Sequence, residues 1–358
     1  MIIHIIQDSV YANDFIRFLG TYYCKEDHFV YVIERKEHHV EENGNNCPWQ
    51  YFHNKDIFAF NRKARKADKV IIHGLFDTIL FIWLFFHLFN MRKIVISIWG
   101  GDLYIHKKLI EDTDTTLRSK MFDLVRGMIF KRTPLFLNDM AEDYDLLKEW
   151  YHVRGRSIHI IYPASVDMEF LERAIAEKHN NQDKVVILLG NSATESNMHI
   201  EAFNLLKKFE NENIEIYCPL SYGDINYREK VIQTGKEIFG DKFIAVVDFM
   251  KPEEYCKLLA SVDVAVFNND RQQAMGNIAM LAYLGSKMYL RNDTTMWEQY
   301  VKKGQCGFHC VLDIDKITFE EFSYNSNEDQ IKNKKYFSRL WDVEYLKNMW
   351  DKAFEKNI

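Results

Sequence analysis

Short apolar runs of strand length alternate along the chain with segments whose apolar residues recur at helical spacing. Such alternation predicts βα units, which form a mostly parallel sheet with helices on both faces. The predicted strands cover residues 2–6, 29–33, 70–73, 94–98, 135–137, 158–161, 185–189, 214–218, 243–247, 263–267 and 287–290. The predicted helices cover residues 13–23, 56–66, 117–130, 141–150, 197–210, 226–239, 253–259 and 273–284. The pattern therefore indicates an α/β protein.

A break in this alternation divides the chain into predicted domains. Residues 176–184 hold almost no apolar side chains, which is typical of a linker. We expect one Rossmann-like domain at residues 1–175, a second at 185–318, and a helical tail at 319–358 that packs across both. Two doubly wound domains that face each other enclose an interdomain cleft, and ligands bind at the carboxyl ends of their strands.

The loop after the predicted strand at residues 185–189 has the composition of an anion site. Small polar residues fill positions 190–194, Ser196 can cap a helix, and helical spacing resumes at Ile200. Backbone N–H groups at a helix start can face an anion, and the helix dipole favours negative charge there. Serine and asparagine also simply end strands, so the pattern alone leaves both interpretations open.

A second loop, at residues 268–277, precedes a helix and carries residues suited to phosphate. Arg271 offers a planar set of donors, and Gln272 and Gln273 follow it. Gly276 permits a close approach by a ligand. Two such helix starts can hold the compact charge of a nucleotide diphosphate without a metal ion. The alternative is a capped surface helix with a solvated arginine.

Two strand ends of the first predicted domain carry residues that suit acid–base chemistry. Asp102 follows two glycines and can take a proton from a hydroxyl, while Trp99 and Tyr104 can stack on a sugar ring. His73 ends its strand, and its pKa range suits a base. Asp102 can equally cap the next helix, and a lone histidine in apolar surroundings is more often structural.

Metal binding is not expected from the acidic and sulfur-containing residues. The triplet Asp112-Thr113-Asp114 resembles a DxD motif, but it lies in a polar loop with no strand directly before it. The six cysteines include no CxxC pair, so reduced thiols are expected. We expect neither a metal nor a bound cofactor.

Charge and hydropathy limit the partners. A formal net charge of −6 argues against a nucleic-acid binder, which usually has a basic face. The most apolar stretch, residues 79–89, is too short for the roughly 20 residues of a membrane-spanning helix. Basic residues at 62–66, at Lys69 and at 92–93 flank it in sequence. We expect either a buried helix or contact with an anionic membrane surface.

Four ordered motifs resemble the family 56 glycosyltransferases. They are HGLFD at 73–77, IWGGDLY at 98–104, LLGNSATESNMHIEAF at 188–203 and NNDRQQAMGNIAML at 268–281. The resemblance implies a GT-B fold, with the acceptor in the N-terminal domain and a nucleotide-sugar donor in the C-terminal domain. It implies that Asp102 or His73 faces the acceptor. It implies a donor diphosphate bound by Asn191, Ser192, Thr194, Arg271, Gln272, Gln273 and Asn277.

The resemblance also implies a reaction and a location. A deoxyamino sugar of the N-acetylfucosamine type passes from a dTDP-linked donor to a polyprenyl-diphosphate-linked saccharide, in bacterial surface polysaccharide synthesis akin to that of enterobacterial common antigen. The protein is expected in the cytoplasm, peripheral on the inner face of the inner membrane. We expect a metal-independent transfer in which a base deprotonates the acceptor and Arg271 stabilises the departing diphosphate. A nucleotide-sugar epimerase of this shape and a non-enzymatic two-domain solute-binding protein are the alternatives.

Overall fold

The computed structural model describes residues 1–34, 40, 47–111, 115–164, 169, 171–173 and 184–355. The chain forms two compact units: Met1–Ser165 together with Leu340–Ile358, and Val166–Arg339. The triplet Asp112-Thr113-Asp114 and most of the expected linker lie outside the described residues. The domain roles predicted from the sequence stay predictions.

A parallel sheet forms the centre of the first unit. Its strands are β1 Ile2–Gln7, β2 His28–Ile33, β3 Trp49–Phe52, β4 Lys69–His73, β5 Ile94–Ile98, β6 Leu135–Asn138 and β7 Arg156–His159. Their order across the sheet is β3-β2-β1-β4-β5-β6-β7, and neighbouring strands run parallel. The direction of winding reverses between β1 and β4, where doubly wound sheets typically bind ligands.

The second unit has a parallel sheet of the same kind. Its strands are β8 Val185–Leu189, β9 Ile214–Pro219, β10 Phe243–Val246, β11 Val264–Phe267, β12 Lys287–Leu290 and β13 Phe308–Cys310. Their order is β10-β9-β8-β11-β12-β13, so winding reverses between β8 and β11. The alternation of strands and helices in the sequence thus predicted all strands of the two sheets except β3 and β13.

Helices connect the strands and cover the sheets. In the first unit they are α1 Val10–Tyr22, α2 Ile57–Lys66, α3 Thr78–Phe86, α4 Gly101–Glu111, α5 Leu117–Arg132 and α6 Ala141–Tyr151. In the second unit they are α7 His199–Leu206, α8 Ile225–Phe239, α9 Pro252–Ser261, α10 Met275–Leu284, α11 Thr295–Trp297, α12 Phe319–Ser323 and α13 Asn327–Phe337. The chain returns to the first unit with α14 Val343–Phe354.

Alternate residues of each strand supply the apolar cores on opposite faces of a sheet. In β1, Ile3 and Ile5 belong to one core, while Ile2 and Ile6 belong to another. The second core also includes Trp350 of α14. The C-terminal helix therefore completes the hydrophobic core of the first unit.

Two hydrogen bonds fasten α14 to this core. Trp350 Nε1 donates to the Ile161 carbonyl at 2.9 Å, and Lys69 Nζ donates to the Ala353 carbonyl at 2.8 Å. Lys69 is buried, and burial lowers its pKa. The expectation that Lys69 belongs to a surface basic cluster was wrong, because its ammonium group ties down the end of α14.

Candidate functional site

Two loops meet at the point where winding reverses in the second sheet. One loop follows β8 at residues 190–198, and the other follows β11 at residues 268–274. The Asp270 N–H donates to the Ser196 carbonyl at 3.0 Å, and Asn268 Nδ2 donates to the Met198 carbonyl at 3.1 Å. The two loops that the sequence predicted as phosphate-binding are therefore neighbours at the carboxyl edge of this sheet.

The side chain of Asn197 fixes the shape of the first loop. Its Oδ1 accepts from the Asn191 N–H at 3.0 Å and from Asn269 Nδ2 at 3.1 Å. Its Nδ2 donates to the Ser192 carbonyl at 3.0 Å and to Thr194 Oγ1 at 2.8 Å. Asn197 is buried, so these bonds are not exchanged for bonds to bulk water. Asn197 was not among the predicted site residues.

Gln273 joins the two loops through a cluster of hydroxyl groups. Its Nε2 lies 3.0 Å from both Ser192 Oγ and Thr194 Oγ1, and its Oε1 accepts from Ser196 Oγ at 2.6 Å. Ser192, Thr194 and Gln273 were each predicted as donor-binding residues. The structure brings these three side chains within hydrogen-bonding distance of one another.

The helices that follow these loops begin without side-chain caps. Met198 precedes α7 at φ 50° and Ala274 precedes α10 at φ 60°, and neither makes a side-chain capping bond. A left-handed backbone is uncommon for residues other than glycine, asparagine and aspartate. By contrast, Asp224 caps the neighbouring α8 by accepting from the Tyr227 N–H.

The start of α10 presents backbone donors. The first N–H groups of a helix have no acceptor within that helix, and no capping side chain supplies one here. Gly276 and Asn277 lie in this first turn, and Gly276 is exposed. The start of α10 thus has the N–H groups and the dipole direction that favour an anion.

The start of α7 differs from the sequence expectation. Ser196 does not cap the helix, because Glu195–Asn197 form a short 3-10 turn and α7 begins only at His199. The His199 N–H donates to the Tyr227 hydroxyl at 3.3 Å, and His199 Nδ1 lies 3.2 Å from the same oxygen. Burial lowers the pKa of His199 to about 4, so its imidazole is neutral at pH 7.

Several acceptor atoms at this edge are buried without a partner. Within the part of the chain that the structure describes, Asn191 Oδ1, Asn269 Oδ1 and Gln272 Oε1 accept no hydrogen bond. An unpaired buried acceptor costs about 1–3 kcal/mol, so such atoms often mark a place where a ligand or water donates. Three of them at one sheet edge match a ligand that carries hydroxyl groups.

Arg271 supplies positive charge beside the first loop. It donates from Nη1 to the Gln272 carbonyl at 3.0 Å. Burial raises the pKa of Tyr222, and the nearby charge of Arg271 opposes that rise. The Tyr222 hydroxyl also accepts from Asn191 Nδ2 at 2.8 Å. Arg271 therefore lies on the same edge as the Asn191 side chain. Tyr222, from the loop after β9, adds an aromatic ring there.

In the first unit, Asp102 joins two strand-end loops. Its Oδ1 accepts from the Trp99 N–H at 3.0 Å and its Oδ2 accepts from the Leu75 N–H at 3.0 Å. The side chain is fully buried, and burial raises its pKa against the opposing effect of these amides. The geometry holds the loops after β4 and β5 together. The role of Asp102 as a base stays a prediction.

His73 belongs to a buried chain of hydrogen bonds, which we call the histidine string: His28, His4, His73 and Tyr162. The register pairs Ile2 with His28 and Ile6 with His73, so His4 lies diagonally between the two histidines on one sheet face. His28 Nδ1 lies 3.0 Å from His4 Nε2, and His4 Nδ1 lies 3.1 Å from His73 Nε2. His73 Nδ1 lies 2.6 Å from the Tyr162 hydroxyl.

The partners of Tyr162 set the tautomers of this string. Trp99 Nε1 donates to the Tyr162 oxygen at 2.8 Å, and the Tyr162 hydroxyl donates to Ser97 Oγ at 2.8 Å. His73 must then donate from Nδ1, and His4 and His28 follow with the same tautomer. Burial lowers the pKa of His73 to about 3 and of His28 to about 4. Both nitrogens of His73 are engaged, and its role as a base stays a prediction.

A family model described as 4-alpha-L-fucosyltransferase, glycosyl transferase group 56, matches residues 15–347. The chain belongs to this family. It is therefore a glycosyltransferase, which confirms the resemblance seen in the four sequence motifs.

Solved structures share the fold of this glycosyltransferase. HepE from Anabaena, in complex with UDP, matches with a TM-score of 0.70 and 11% identity over 99% of each chain. Sucrose-phosphate synthase from Thermosynechococcus elongatus matches with a TM-score of 0.72 and 11% identity over 99% of this chain and 98% of its own. WaaG, a glycosyltransferase involved in lipopolysaccharide biosynthesis, matches with a TM-score of 0.59 and 11% identity over 99% and 98%. The two Rossmann-like units thus have the predicted GT-B fold.

Two residues of the glycosyltransferase's first unit change the sequence-based picture. Tyr104 was expected to stack on a sugar, but it is buried, and its hydroxyl donates to Asp143 Oδ1 at 2.9 Å. Asp139 was not singled out, although it directly follows β6 at the carboxyl edge of the sheet. It is half-buried, and burial raises its pKa to about 7. A polar residue directly after an apolar strand was the signal that could have found Asp139.

Proposed function

We propose that this glycosyltransferase moves a deoxyamino sugar of the N-acetylfucosamine type from a dTDP-linked donor to a polyprenyl-diphosphate-linked saccharide during bacterial surface polysaccharide synthesis. One observation supports donor binding by the second unit: Gln273 is hydrogen-bonded to the Ser192 and Thr194 hydroxyls beside the start of α10, which lacks a capping side chain. These groups supply donors at the position where a doubly wound sheet receives a nucleotide.

In this proposal the donor diphosphate lies against the second unit. The Ser192 and Thr194 hydroxyls and the N–H groups of Gly276 and Asn277 donate to its oxygens, and Arg271 offers a positive charge. Fixed donors aimed at a leaving group stabilise the charge that develops as the glycosidic bond breaks. The same donors replace a metal ion, so the transfer is proposed to be metal-independent.

The unpaired acceptor atoms indicate where the donor sugar binds. Asn191 Oδ1 and Gln272 Oε1 are buried and accept no bond from the described residues. Hydroxyl groups of a sugar can donate to them, whereas phosphate oxygens cannot. We therefore assign Asn191 and Gln272 to the sugar rather than to the diphosphate. The complexes of HepE with UDP and with UDP-glucose support the nucleotide-sugar class of donor.

The acceptor is proposed to bind the first unit. Asp102 and His73 are both buried at the carboxyl edge of its sheet, with their polar atoms occupied. In that position Asp102 keeps the loops after β4 and β5 together, and His73 holds the Tyr162 hydroxyl. We propose that both residues shape the acceptor side of the first unit.

Membrane contact is proposed through exposed apolar side chains on α3 and α5. The residues 79–89 form α3 and its end, where Leu80 and Leu84 are buried while Phe86 is 76% and Phe89 is 94% exposed. On α5, exposed apolar side chains recur at helical spacing and form one stripe along the helix. We call this set the α5 stripe: Leu117, Met121, Leu124 and Met128.

Basic residues lie beside these apolar groups. Arg118, Lys120, Lys131 and Arg132 are exposed on α5, and the Arg132 guanidinium lies 5.4 Å from the ring centre of Phe89. An apolar face edged by lysine and arginine suits an anionic lipid surface. None of the helices in the described ranges is both long and apolar enough to cross a bilayer. We propose that these exposed apolar and basic side chains attach the protein peripherally to the inner face of the inner membrane.

A screen of nucleotides and then a transfer assay test this function. We expect dTDP or UDP to raise the melting temperature of the protein, because a ligand that binds only the folded state stabilises it. Mass spectrometry then follows transfer from a dTDP-linked deoxyamino sugar to a synthetic polyprenyl-diphosphate saccharide. If no nucleotide diphosphate shifts the melting temperature and no product forms, the proposed function is wrong.

A further inference from the structure

The carboxyl edge of the first sheet carries a further carboxylate, Asp139, which the donor site and the loop contacts do not use. Asp139 directly follows β6, whose last residue Asn138 pairs with Ile98 at the end of β5. Asp139 is therefore next to the segment that carries Trp99 and Asp102. Asp139 is half-buried at this edge.

The contacts of Asp139 set it apart from the other acid–base candidates. Both Asp102 oxygens accept backbone N–H groups, and both His73 nitrogens have partners in the histidine string. For Asp139, desolvation is the sole cause of the altered pKa, with no ion pair or hydrogen bond among the described residues opposing it. A carboxylate whose oxygens accept no hydrogen bond from the described residues is available to take a proton.

The electrostatic surroundings support the same assignment. Burial raises the pKa of Tyr162, and the charges of Asp102 and Asp139 add to that rise, so all three groups lie within electrostatic range at this edge. Glu142 and Asp143 begin the adjacent α6, and Asp143 already accepts from Tyr104. Burial alone raises the pKa of Asp139 to about 7, where a base is half ionised and efficient.

We propose that Asp139 is the catalytic base of the transfer, which rests on the proposed function. Its carboxylate takes the proton of the acceptor hydroxyl as that oxygen forms a bond to the anomeric carbon of the donor. The bond between the anomeric carbon and the diphosphate oxygen breaks, and its electron pair leaves with the nucleoside diphosphate. The proton ends on Asp139, and the sugar is delivered with inversion.

The test compares Asp139→Asn with the wild type and with Asp145→Asn, a control at an exposed position of α6. For Asp139→Asn we expect kcat to fall about 100- to 10,000-fold, while the dissociation constant for dTDP changes less than about twofold. The acidic limb of the wild-type pH profile, near pH 7, is lost in Asp139→Asn and kept in Asp145→Asn. Melting temperatures confirm that each variant is folded.

The outcomes separate this proposal from the proposed function. Transfer by the wild type together with an unchanged kcat and pH profile in Asp139→Asn would remove Asp139 as the base and leave the function standing. Loss of the acidic limb in Asp102→Asn but not in Asp139→Asn would assign the base to Asp102 instead. If the wild type transfers no sugar, the proposed function fails, and the role of Asp139 fails with it.

Discussion

Replacing Gln273 by glutamate tests whether the joined loops receive a diphosphate. The substitution keeps the size of the side chain and the oxygen that accepts from Ser196, but it replaces an N–H donor by negative charge. That charge lies beside Ser192 Oγ and Thr194 Oγ1, each 3.0 Å from the present Nε2 atom. The change thus places a carboxylate where the proposal puts a phosphate.

The size of the effect follows from this geometry. A phosphate that accepts from the two hydroxyls lies about 5 Å from the new carboxylate. Two unit charges at that separation repel by about 3 kcal/mol at an effective dielectric constant near 20. Gln273 is partly exposed, so solvent screens the new charge and about half of this repulsion remains; the lost N–H donor adds about 1 kcal/mol. We expect binding to weaken about 100-fold, whereas Gln273→Ala, which loses only the hydrogen bonds, costs about 5- to 10-fold.

Isothermal titration with dTDP and with UDP measures the effect on the isolated protein. Gln233→Glu adds the same charge at an exposed position of α8 in the same unit, and it serves as the matched control. Raising the salt concentration should shrink the deficit of Gln273→Glu, because ions screen the repulsion. A folded Gln273→Glu variant that binds the nucleotide as tightly as Gln233→Glu would refute the placement of the diphosphate at this loop pair.

Three further predictions concern the loop, the membrane face and pH. Gly190→Ala should lower both stability and nucleotide affinity, because φ at Gly190 is +68° and an added Cβ would lie 2.7 Å from His199 Nε2. Gly240→Ala is the control and should lower stability alone, because φ there is +57° but no atom lies within 4 Å of the added Cβ. Thermal melts and titration compare the two variants. The double variant Leu117→Ser and Leu124→Ser should float less with phosphatidylglycerol vesicles than the wild type, whereas the control Ile331→Ser, at an exposed position of α13, should float as the wild type does. If the double variant floats as well as the control, the α5 stripe is not the membrane contact. The unfolding free energy should fall as the pH drops from about 6.5 towards 3, since the histidine string is neutral when folded and takes up protons when unfolded, at up to about 1.4 kcal/mol per pH unit for each histidine. Urea titrations at several pH values measure this slope, and a flat profile would contradict it.

The periodic part of the fold could be predicted because the central strands are continuous apolar runs. β1, β4, β8 and β11 are buried from both sides, so their residues lack the alternation of a half-exposed strand. The edge strands β3 and β13 were missed. β3 is Trp49–Phe52 with a partly exposed pattern, and β13 has only three residues, so neither gives an apolar run of strand length.

The errors share a physical cause, which is a partner far away in the sequence. Ser196 is a good capping residue by type, yet Asn197 draws the loop into a 3-10 turn through bonds that include Asn269 of another strand end. Lys69 reads as part of a surface basic run, yet its acceptor is Ala353 on the last helix. Local sequence propensity gives no information about Asn269 or Ala353, because both contacts are tertiary and override the local preference.

The candidate donor site departs from several local preferences at once: helix capping, backbone conformation and the pairing of buried polar atoms. In the second unit α7 and α10 lack a capping side chain and begin after residues in a left-handed backbone, whereas α9 and α11, which also lack one, begin after residues in an extended backbone. Each strained residue costs on the order of 1–3 kcal/mol, and the unpaired acceptors beside them add to that cost. Departures from local consistency that cluster at one sheet edge are typical of functional sites. A nucleotide sugar that donates to those acceptors and accepts from the α10 amides would offset this cost, which is why we expect its binding to raise the melting temperature.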